Sequence, residues 1–307
     1  MPTKRDVITL LSRAGLCAIL PARSALAQSS TPMPVVASFS ILGDLARQIG
    51  GSRVAVAELI GPDREAHGFS PSPADARKLT AAKVILVNGL GFEGYMDRLV
   101  KASGSQARPT VLSNGIALLA KDKVGDHDHG GTQSDPHAWQ SVANAKVFAR
   151  NIAAAFSEAD AAGKPEYEAN LTRYLALLDA LETEIKAILA PLPADRRTVV
   201  TAHNAFRYLA RDTGLTFHAL QGISAEAEPS AADMARIIRQ LKALKAPAAF
   251  LENVTDPRKI RQITTESGAR IGGTLYSDAL SLANGPAPTY IDMMRHNVRE
   301  IAKALSP

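Results

Sequence analysis

Three histidines and one aspartate stand out because each lies where a predicted strand gives way to a loop. They come from four well-separated segments, and they are His67, His137, His203 and Asp278. Three imidazole nitrogens and one carboxylate oxygen form a four-coordinate ligand set of the kind that suits zinc. No local motif brings these residues together, so only a particular fold could place them around one ion.

A set of four protein ligands predicts binding rather than catalysis. Four ligands complete the tetrahedron around zinc, whereas a catalytic zinc keeps one position for water. Taken singly, such residues are more often structural, and the alternative role for Asp278 is to cap a helix. Asp135, Glu228 and Glu252 are candidates to orient the imidazoles, although carboxylates are more often solvated or cap helices.

A second cluster of possible metal ligands lies in the stretch 121–135, which is rich in Gly, Asp and His and has no apolar periodicity. The stretch is therefore predicted to be a loop. Its adjacent metal-binding side chains are Asp126, His127, Asp128 and His129. We favour a secondary metal-capture loop that passes zinc to the main site; the alternative is an ordinary solvated acidic loop.

The elements that must position these residues alternate between strand and helix, which predicts an α/β fold. The run Val84-Ile85-Leu86-Val87 is continuously apolar, as is typical of a strand buried on both faces of a parallel sheet. A helical pattern begins near Pro165 and ends before Pro191; at 1.5 Å per residue this helix is about 38 Å long. The second half then repeats the alternation, so we expect two parallel-sheet lobes joined by a long rigid helix.

The predicted strands also indicate where the four residues lie. Ligands of open α/β sheets bind beyond the carboxyl ends of the strands. His203 follows a predicted strand at 198–201, and Asp278 follows one at 270–276. Two facing lobes would therefore bring the four side chains into one cleft between them.

The first 27 residues have the pattern of an export signal. Lys4 and Arg5 precede a mostly apolar run, and Ala25-Leu26-Ala27 is a small-x-small cleavage signature; a short buried or interfacial helix is the alternative. The predicted location is therefore the periplasm. The only cysteine, Cys17, lies inside this segment in a poor match to a lipid-attachment box, so we predict neither a lipoprotein nor a disulfide.

The composition excludes some partners. The 307-residue chain has a net charge of +5, which falls to +2 without residues 1–27, because these hold four basic residues and one acidic residue. The electrostatic field of so small a net charge does not support nucleic acid binding. Aromatic residues make up only 5% of the chain, which offers little for base stacking.

Four segments of the chain resemble, in order, the ligand segments of the metal-specific solute-binding proteins of ABC importers, the ZnuA/TroA family (cluster A-I). The segments are His67-x-Phe69-x-Pro71-Ser72-Pro73, Asp135-Pro136-His137-Ala138-Trp139, Ala202-His203-x-Ala205-Phe206 and Tyr276-Ser277-Asp278-Ala279-Leu280. Each segment alone is weakly specific, but four such segments in the same order, after a secretion signal, are strong evidence of the resemblance. The resemblance covers nearly all of the mature chain.

The resemblance implies a metal buried between two lobes and delivered to a membrane permease that a separate ATPase powers. His67 and His137 would be ligands from the N-terminal lobe, and His203 and Asp278 from the C-terminal lobe. We expect a monomer. The expected boundaries are a signal peptide at 1–27, an N-terminal lobe at 28–162, a linking helix at 163–192 and a C-terminal lobe at 193–307.

The resemblance also bears on the choice of metal. Manganese-type members tend to carry a carboxylate at the third ligand position, which here is His203, so zinc is favoured over manganese or iron. The short loop and the Asp278 ligand are most similar to the AztC-type zinc proteins. Some of these receive zinc from a periplasmic chaperone, which is thus a candidate partner.

Two other classes of function are weaker alternatives. A secreted zinc hydrolase would be expected to show a motif such as His-Glu-x-x-His or Gly-x-Ser-x-Gly, and the sequence has neither. Some relatives were first described as adhesins, but the sequence offers no evidence for that role. We therefore expect a receptor and not an enzyme.

Deletion of residues 125–131 tests the capture role of the loop. If the loop collects zinc for the main site, its loss should slow metal loading and leave the equilibrium affinity nearly unchanged. Stopped-flow loading and competition titrations would measure the two quantities. A large loss of equilibrium affinity would contradict the capture role.

Overall fold

A computed structural model of the protein describes residues 31–120, 134–220, 231–244 and 248–307. The signal predicted at 1–27, the capture residues Asp126, His127, Asp128 and His129, and the candidate Glu228 lie outside these ranges. The described residues form two four-stranded parallel sheets, each flanked by helices. The predicted α/β fold with two parallel-sheet lobes is thereby confirmed.

The first sheet belongs to the N-terminal lobe and has the strand order β2-β1-β3-β4. Its strands alternate with helices along the chain. The elements are β1 (Met33–Phe39), α1 (Ser40–Gly50), β2 (Val54–Ile60), α2 (Pro73–Ala81), β3 (Val84–Val87), α3 (Met96–Ser103), β4 (Pro109–Val111) and α4 (Val142–Ala159). All four residues of β3 are buried, as the continuous apolar run predicts.

A long helix, α5 (Lys164–Leu189), follows the first lobe. Its buried face consists of residues spaced three, four or seven apart, which is the period of one helix face. These residues are Tyr167, Tyr174, Leu178, Leu181, Ile185 and Leu189. The helix packs on α1 and α4 of the first lobe and on the last helix of the chain, so it is in contact with both halves of the molecule.

The second sheet belongs to the C-terminal lobe and has the order β6-β5-β7-β8, which is the same topology as the first. Its elements are β5 (Thr198–Thr201), α6 (Arg207–Thr213), β6 (Thr216–Ala219), α7 (Ala231–Leu244), β7 (Ala248–Glu252), α8 (Pro257–Ser267), β8 (Arg270–Leu275) and α9 (Tyr290–Leu305). Within the described ranges no helix has the length and apolar character that a membrane span requires. The sequence-based domain boundaries at 28–162, 163–192 and 193–307 stay predictions.

One buried carboxylate joins α1 to the start of α9. Asp44 is 5% exposed, and its Oδ2 accepts a hydrogen bond from the backbone N–H of Tyr290 at 2.8 Å. Burial raises the pKa of the Asp44 carboxyl, although the hydrogen bonds from Tyr290 and Gln48 act in the opposite direction. The folded state therefore binds this proton more tightly than the unfolded chain does.

Substitution Asp44→Asn should change how stability depends on pH. With a raised folded pKa, the contribution of Asp44 to wild-type stability is fully present below the unfolded value of about 3.9 and is lost as pH rises through the folded pKa. The asparagine of the variant cannot ionise, and its Oδ1 can still accept the Tyr290 bond. The stability of the variant relative to wild type should therefore improve as pH rises above about 4.

Urea unfolding at several pH values would measure this difference. The same substitution at Asp97, an exposed residue of α3, controls for the loss of one negative charge. A difference between wild type and Asp44→Asn that stays constant over the whole pH range would contradict the prediction.

Candidate metal centre

Four connections at the carboxyl ends of the sheets supply the four predicted residues. His67 lies in the connection between β2 and α2, and His137 directly precedes a short 3-10 turn, Ala138–Gln140, that leads into α4. His203 lies two residues after β5, and Asp278 three residues after β8. Each lobe therefore contributes two of the side chains.

The four side chains converge on one point. The Asp278 Oδ2 atom lies 3.1 Å from His203 Nε2 and 3.4 Å from His67 Nε2. Asp278 Oδ1 lies 3.7 Å from His137 Nε2, and the Nε2 atoms of His67 and His137 are 3.4 Å apart. One ligand atom from each residue lies within 4.8 Å of all the others.

The four individual separations of 3.1 to 3.7 Å fit a tetrahedral ion. With zinc–nitrogen bonds of 2.0–2.1 Å, neighbouring ligand atoms of a tetrahedron are about 3.3 Å apart. The side chains of His137, His203 and Asp278 are 0% exposed, and that of His67 is 10% exposed. Neither oxygen of Asp278 has a hydrogen-bond partner within the described residues, so both are available to a cation.

Buried carboxylates orient two of the imidazoles through their second nitrogen. Asp135 Oδ1 lies 2.9 Å from His137 Nδ1 and also accepts from the His137 backbone N–H. Glu252 Oε2 lies 2.6 Å from His203 Nδ1. A proton on Nδ1, facing the carboxylate, would leave the Nε2 lone pair directed to the centre, as a metal ligand requires.

Glu252 is itself held by backbone groups. Its Oε1 accepts from the N–H groups of Ala202 at 2.8 Å and His203 at 3.0 Å. The carboxylate at the end of β7 therefore fixes both the main chain and the ring of His203. Asp135 and Glu252, two of the three carboxylates that the sequence suggested as partners of the imidazoles, thus lie beside imidazole Nδ1 atoms. Asp278 caps none of the described helices.

The electrostatics of the centre are dominated by the pair Asp278 and His203. Burial lowers the pKa of His203, but the carboxylates of Glu252 and Asp278 outweigh it and raise this pKa well above its ordinary value. Burial raises the pKa of Asp278, but His203 foremost, with His67 and His137, lowers it well below its usual value. A metal that binds through His203 Nε2 therefore competes with a proton for that nitrogen.

Contacts between the lobes hold the His137 and Asp278 segments together. The Trp139 indole Nε1 donates to the Ser277 carbonyl at 2.8 Å, and Gln140 Nε2 donates to the same oxygen at 2.7 Å. The Trp139 ring also lies 5.3 Å from the His137 ring. The sequence analysis did not identify Gln140, because the residue type and position of a glutamine three residues after His137 do not indicate its partner in the other lobe.

Comparison with known proteins connects this geometry to a family. Residues 35–304 match the family described as zinc-uptake complex component A, periplasmic. The iron-binding protein YfeA of Yersinia pestis is 33% identical over 269 residues, which are 88% of this chain and 85% of that protein. The manganese-binding lipoprotein MntA of Halalkalibacterium halodurans is 32% identical over 278 residues, or 89% of each.

A solved structure with a similar fold is the periplasmic zinc binding protein TroA of Treponema pallidum. It superposes with a TM-score of 0.83 at 27% sequence identity, over 91% of this chain and 100% of that chain. The relatives named here thus bear the names of three different metals, although their chains match over nearly the same length.

Substitution Glu252→Gln tests the orienting role of this carboxylate. The glutamine can still accept from backbone N–H groups, but its neutral amide cannot stabilise the proton on His203 Nδ1 as the carboxylate does. We expect metal affinity to fall by about ten- to a hundredfold, the range found when such partners are lost. Competition with a chelating dye would measure the affinity.

The exposed Glu266 of α8 provides the matched control, and Glu266→Gln should leave affinity unchanged. Equal affinities in wild type and Glu252→Gln would show that the contact with His203 does not contribute to binding.

Proposed function

The chain belongs to the family of the zinc-uptake complex component A proteins, and on that premise we propose that it binds Zn²⁺ in the periplasm and delivers it to the permease of an ABC importer. Relatives carry names such as metal ABC transporter substrate-binding lipoprotein. Members of the family are substrate-binding receptors and not enzymes. The metal is thus the cargo of the protein and not a catalytic cofactor.

The convergence of three imidazole Nε2 atoms and one carboxylate supports the choice of zinc. Neutral imidazole nitrogens are good ligands for zinc, whereas manganese and magnesium prefer sites made mostly of oxygen. Only one of the four side chains here offers oxygen. Four protein ligands leave a tetrahedral ion no position for a reactive water, which suits binding and release.

The burial of the centre supports a role in delivery. Three of the four side chains are fully buried, so a bound ion would be shielded from water and from competing ligands. Both lobes contribute ligands, so a small relative movement of the lobes would remove half of them at once. An interaction with a permease that separates the lobes would therefore release the ion.

A manganese or iron receptor is the second candidate, and two observations favour it. The relatives YfeA and MntA are named for iron and manganese. Asp278 also presents both oxygens to the imidazoles, at 3.1 to 3.7 Å. A bidentate carboxylate would raise the number of ligand atoms to five, which suits ions that prefer higher coordination numbers.

Metal analysis of the purified chain, followed by competition, tests the proposal. We expect one zinc per chain, tetrahedral by X-ray absorption, and no displacement by an equal concentration of manganese. Affinity alone does not identify the cargo, because zinc binds more tightly than manganese at most nitrogen-rich sites. Growth of a deletion strain of the native host under chelation should therefore be restored by zinc and not by manganese.

Substitution His203→Ala removes one ligand and should weaken zinc binding by at least about a hundredfold. His218, which lies on β6 outside the four-residue centre, is the matched control, and His218→Ala should bind as wild type does. Equal binding by His203→Ala and wild type would exclude His203 as a ligand. Growth restored by manganese alone would favour the second candidate.

A further inference from the structure

Asp63 has an unusual backbone conformation in the segment that carries His67. Its φ angle is 51°, and among the described residues only Leu90 shares a positive φ without being glycine. Aspartate is one of the few non-glycine residues that adopt this left-handed conformation with some ease. Such a conformation persists where surrounding contacts determine it, so the contacts of Asp63 show what the segment is held against.

Three hydrogen bonds join Asp63 to the C-terminal lobe. Its backbone N–H donates to the Leu280 carbonyl at 2.8 Å. Its Oδ1 accepts from Asn253 Nδ2, and its Oδ2 accepts from the Leu282 backbone N–H, each at 3.1 Å. Both carboxylate oxygens and the main-chain amide of Asp63, a residue of the N-terminal lobe, thus form hydrogen bonds with the C-terminal lobe.

The partners of Asp63 lie in the Asp278 segment and directly after β7. Leu280 and Leu282 follow Asp278 by two and four residues. Asn253 directly follows Glu252, the carboxylate that contacts His203 Nδ1, and it also donates to the Ala279 carbonyl at 3.3 Å. The Asp63 side chain therefore connects the His67 segment to the Asp278 segment through Leu282, and to the end of β7 through Asn253.

The His67 segment is where a bound ion is most easily reached. His67 is 10% exposed, whereas the other three ligand side chains are 0% exposed. It lies in the connection between β2 and α2, and no regular element holds it. An ion with four ligands exchanges once one ligand withdraws, and the ligand on the most accessible segment is the one that can withdraw without disturbing a sheet.

We propose that Asp63 is a positioning residue that holds the His67 segment against the C-terminal lobe and thereby sets the rate of metal uptake and release. This inference rests on the proposed function, because it takes the four residues as the ligands. Asp63 makes none of the contacts of the centre itself. Its removal should therefore change the rates in both directions more than the equilibrium affinity.

Substitution Asp63→Gly tests the role cleanly, because glycine adopts a positive φ without strain and only the carboxylate is lost. Zinc-loaded protein is mixed with several concentrations of a chromogenic chelator, and the rate is extrapolated to zero chelator. Apo-protein is mixed with zinc to obtain the association rate. We expect dissociation to become about tenfold faster, as the loss of two hydrogen bonds suggests, and association to quicken with it.

Two further variants separate the hydrogen bonds from other effects. Asp63→Asn tolerates the left-handed backbone and keeps one acceptor oxygen, so its dissociation rate should fall between those of wild type and Asp63→Gly. Asp97→Asn removes one exposed negative charge of the same lobe and should leave both rates unchanged. Thermal unfolding of each apo-protein records any general loss of stability.

The outcomes distinguish this inference from the proposed function. Unchanged rates in Asp63→Gly, with tight binding by wild type, would overturn the inference alone. Association of zinc with Asp63→Gly that is unchanged or slower than in wild type would also overturn it. The affinity would then weaken by at least the same factor as dissociation quickens, and Asp63 would stabilise only the bound state. A wild-type protein that binds no divalent ion would overturn both.

Discussion

The burial of charged and polar ligand groups between two lobes is the constraint on which the rest of the structure depends. A carboxylate and three imidazoles taken out of water are costly unless each polar atom finds a partner. Here His137 and His203 are supported by Asp135 and Glu252. Glu252 is in turn supported by two backbone N–H groups, and the Arg207 guanidinium lies 3.5 Å from the free oxygen of Asp135.

Both Asp278 oxygens and the Nε2 atom of His203 remain without a hydrogen-bond partner among the described residues. A cation at the point of convergence would satisfy the two oxygens together. The same desolvation that makes the centre costly strengthens each interaction with a bound ion, because the local dielectric constant is low. The four side chains and their supporting carboxylates therefore form a cluster that could hold a metal ion.

The connections between the lobes divide into two kinds. Trp139 and Gln140 clamp the Ser277 carbonyl from fully buried positions, so they fix His137 relative to Asp278. The bonds of Asp63 to Asn253 and Leu282 are exposed and compete with water, so each contributes less. A receptor must both hold and release its cargo. The buried bonds of Trp139 and Gln140 suit retention, and the exposed, weaker bonds of Asp63 suit release.

The sequence by itself determined the periodic elements and the types of the candidate ligand atoms. The apolar run of β3, the Ser72 and Pro73 start of α2 and the apolar stripe of α5 are local patterns, and local backbone preferences and burial fix them within a few residues. The roles considered for Asp135 and Glu252 could also be proposed from residue type. The sequence could not select them over other carboxylates, because the same residue types serve as caps and solvated charges.

Only the tertiary structure decided which groups meet. Asp63 and Asn253 are separated by 190 residues, and Gln140 and Ser277 by 137, and nothing in either member of these pairs indicates the other. Their contacts arise because two sheets of the same topology present the carboxyl ends of their strands to one cleft. Chain periodicity is a local property, whereas the position of an unpaired polar atom depends on how whole lobes pack. The sequence therefore indicated the candidate ligands, and only the packing of the lobes determined which residues contact them.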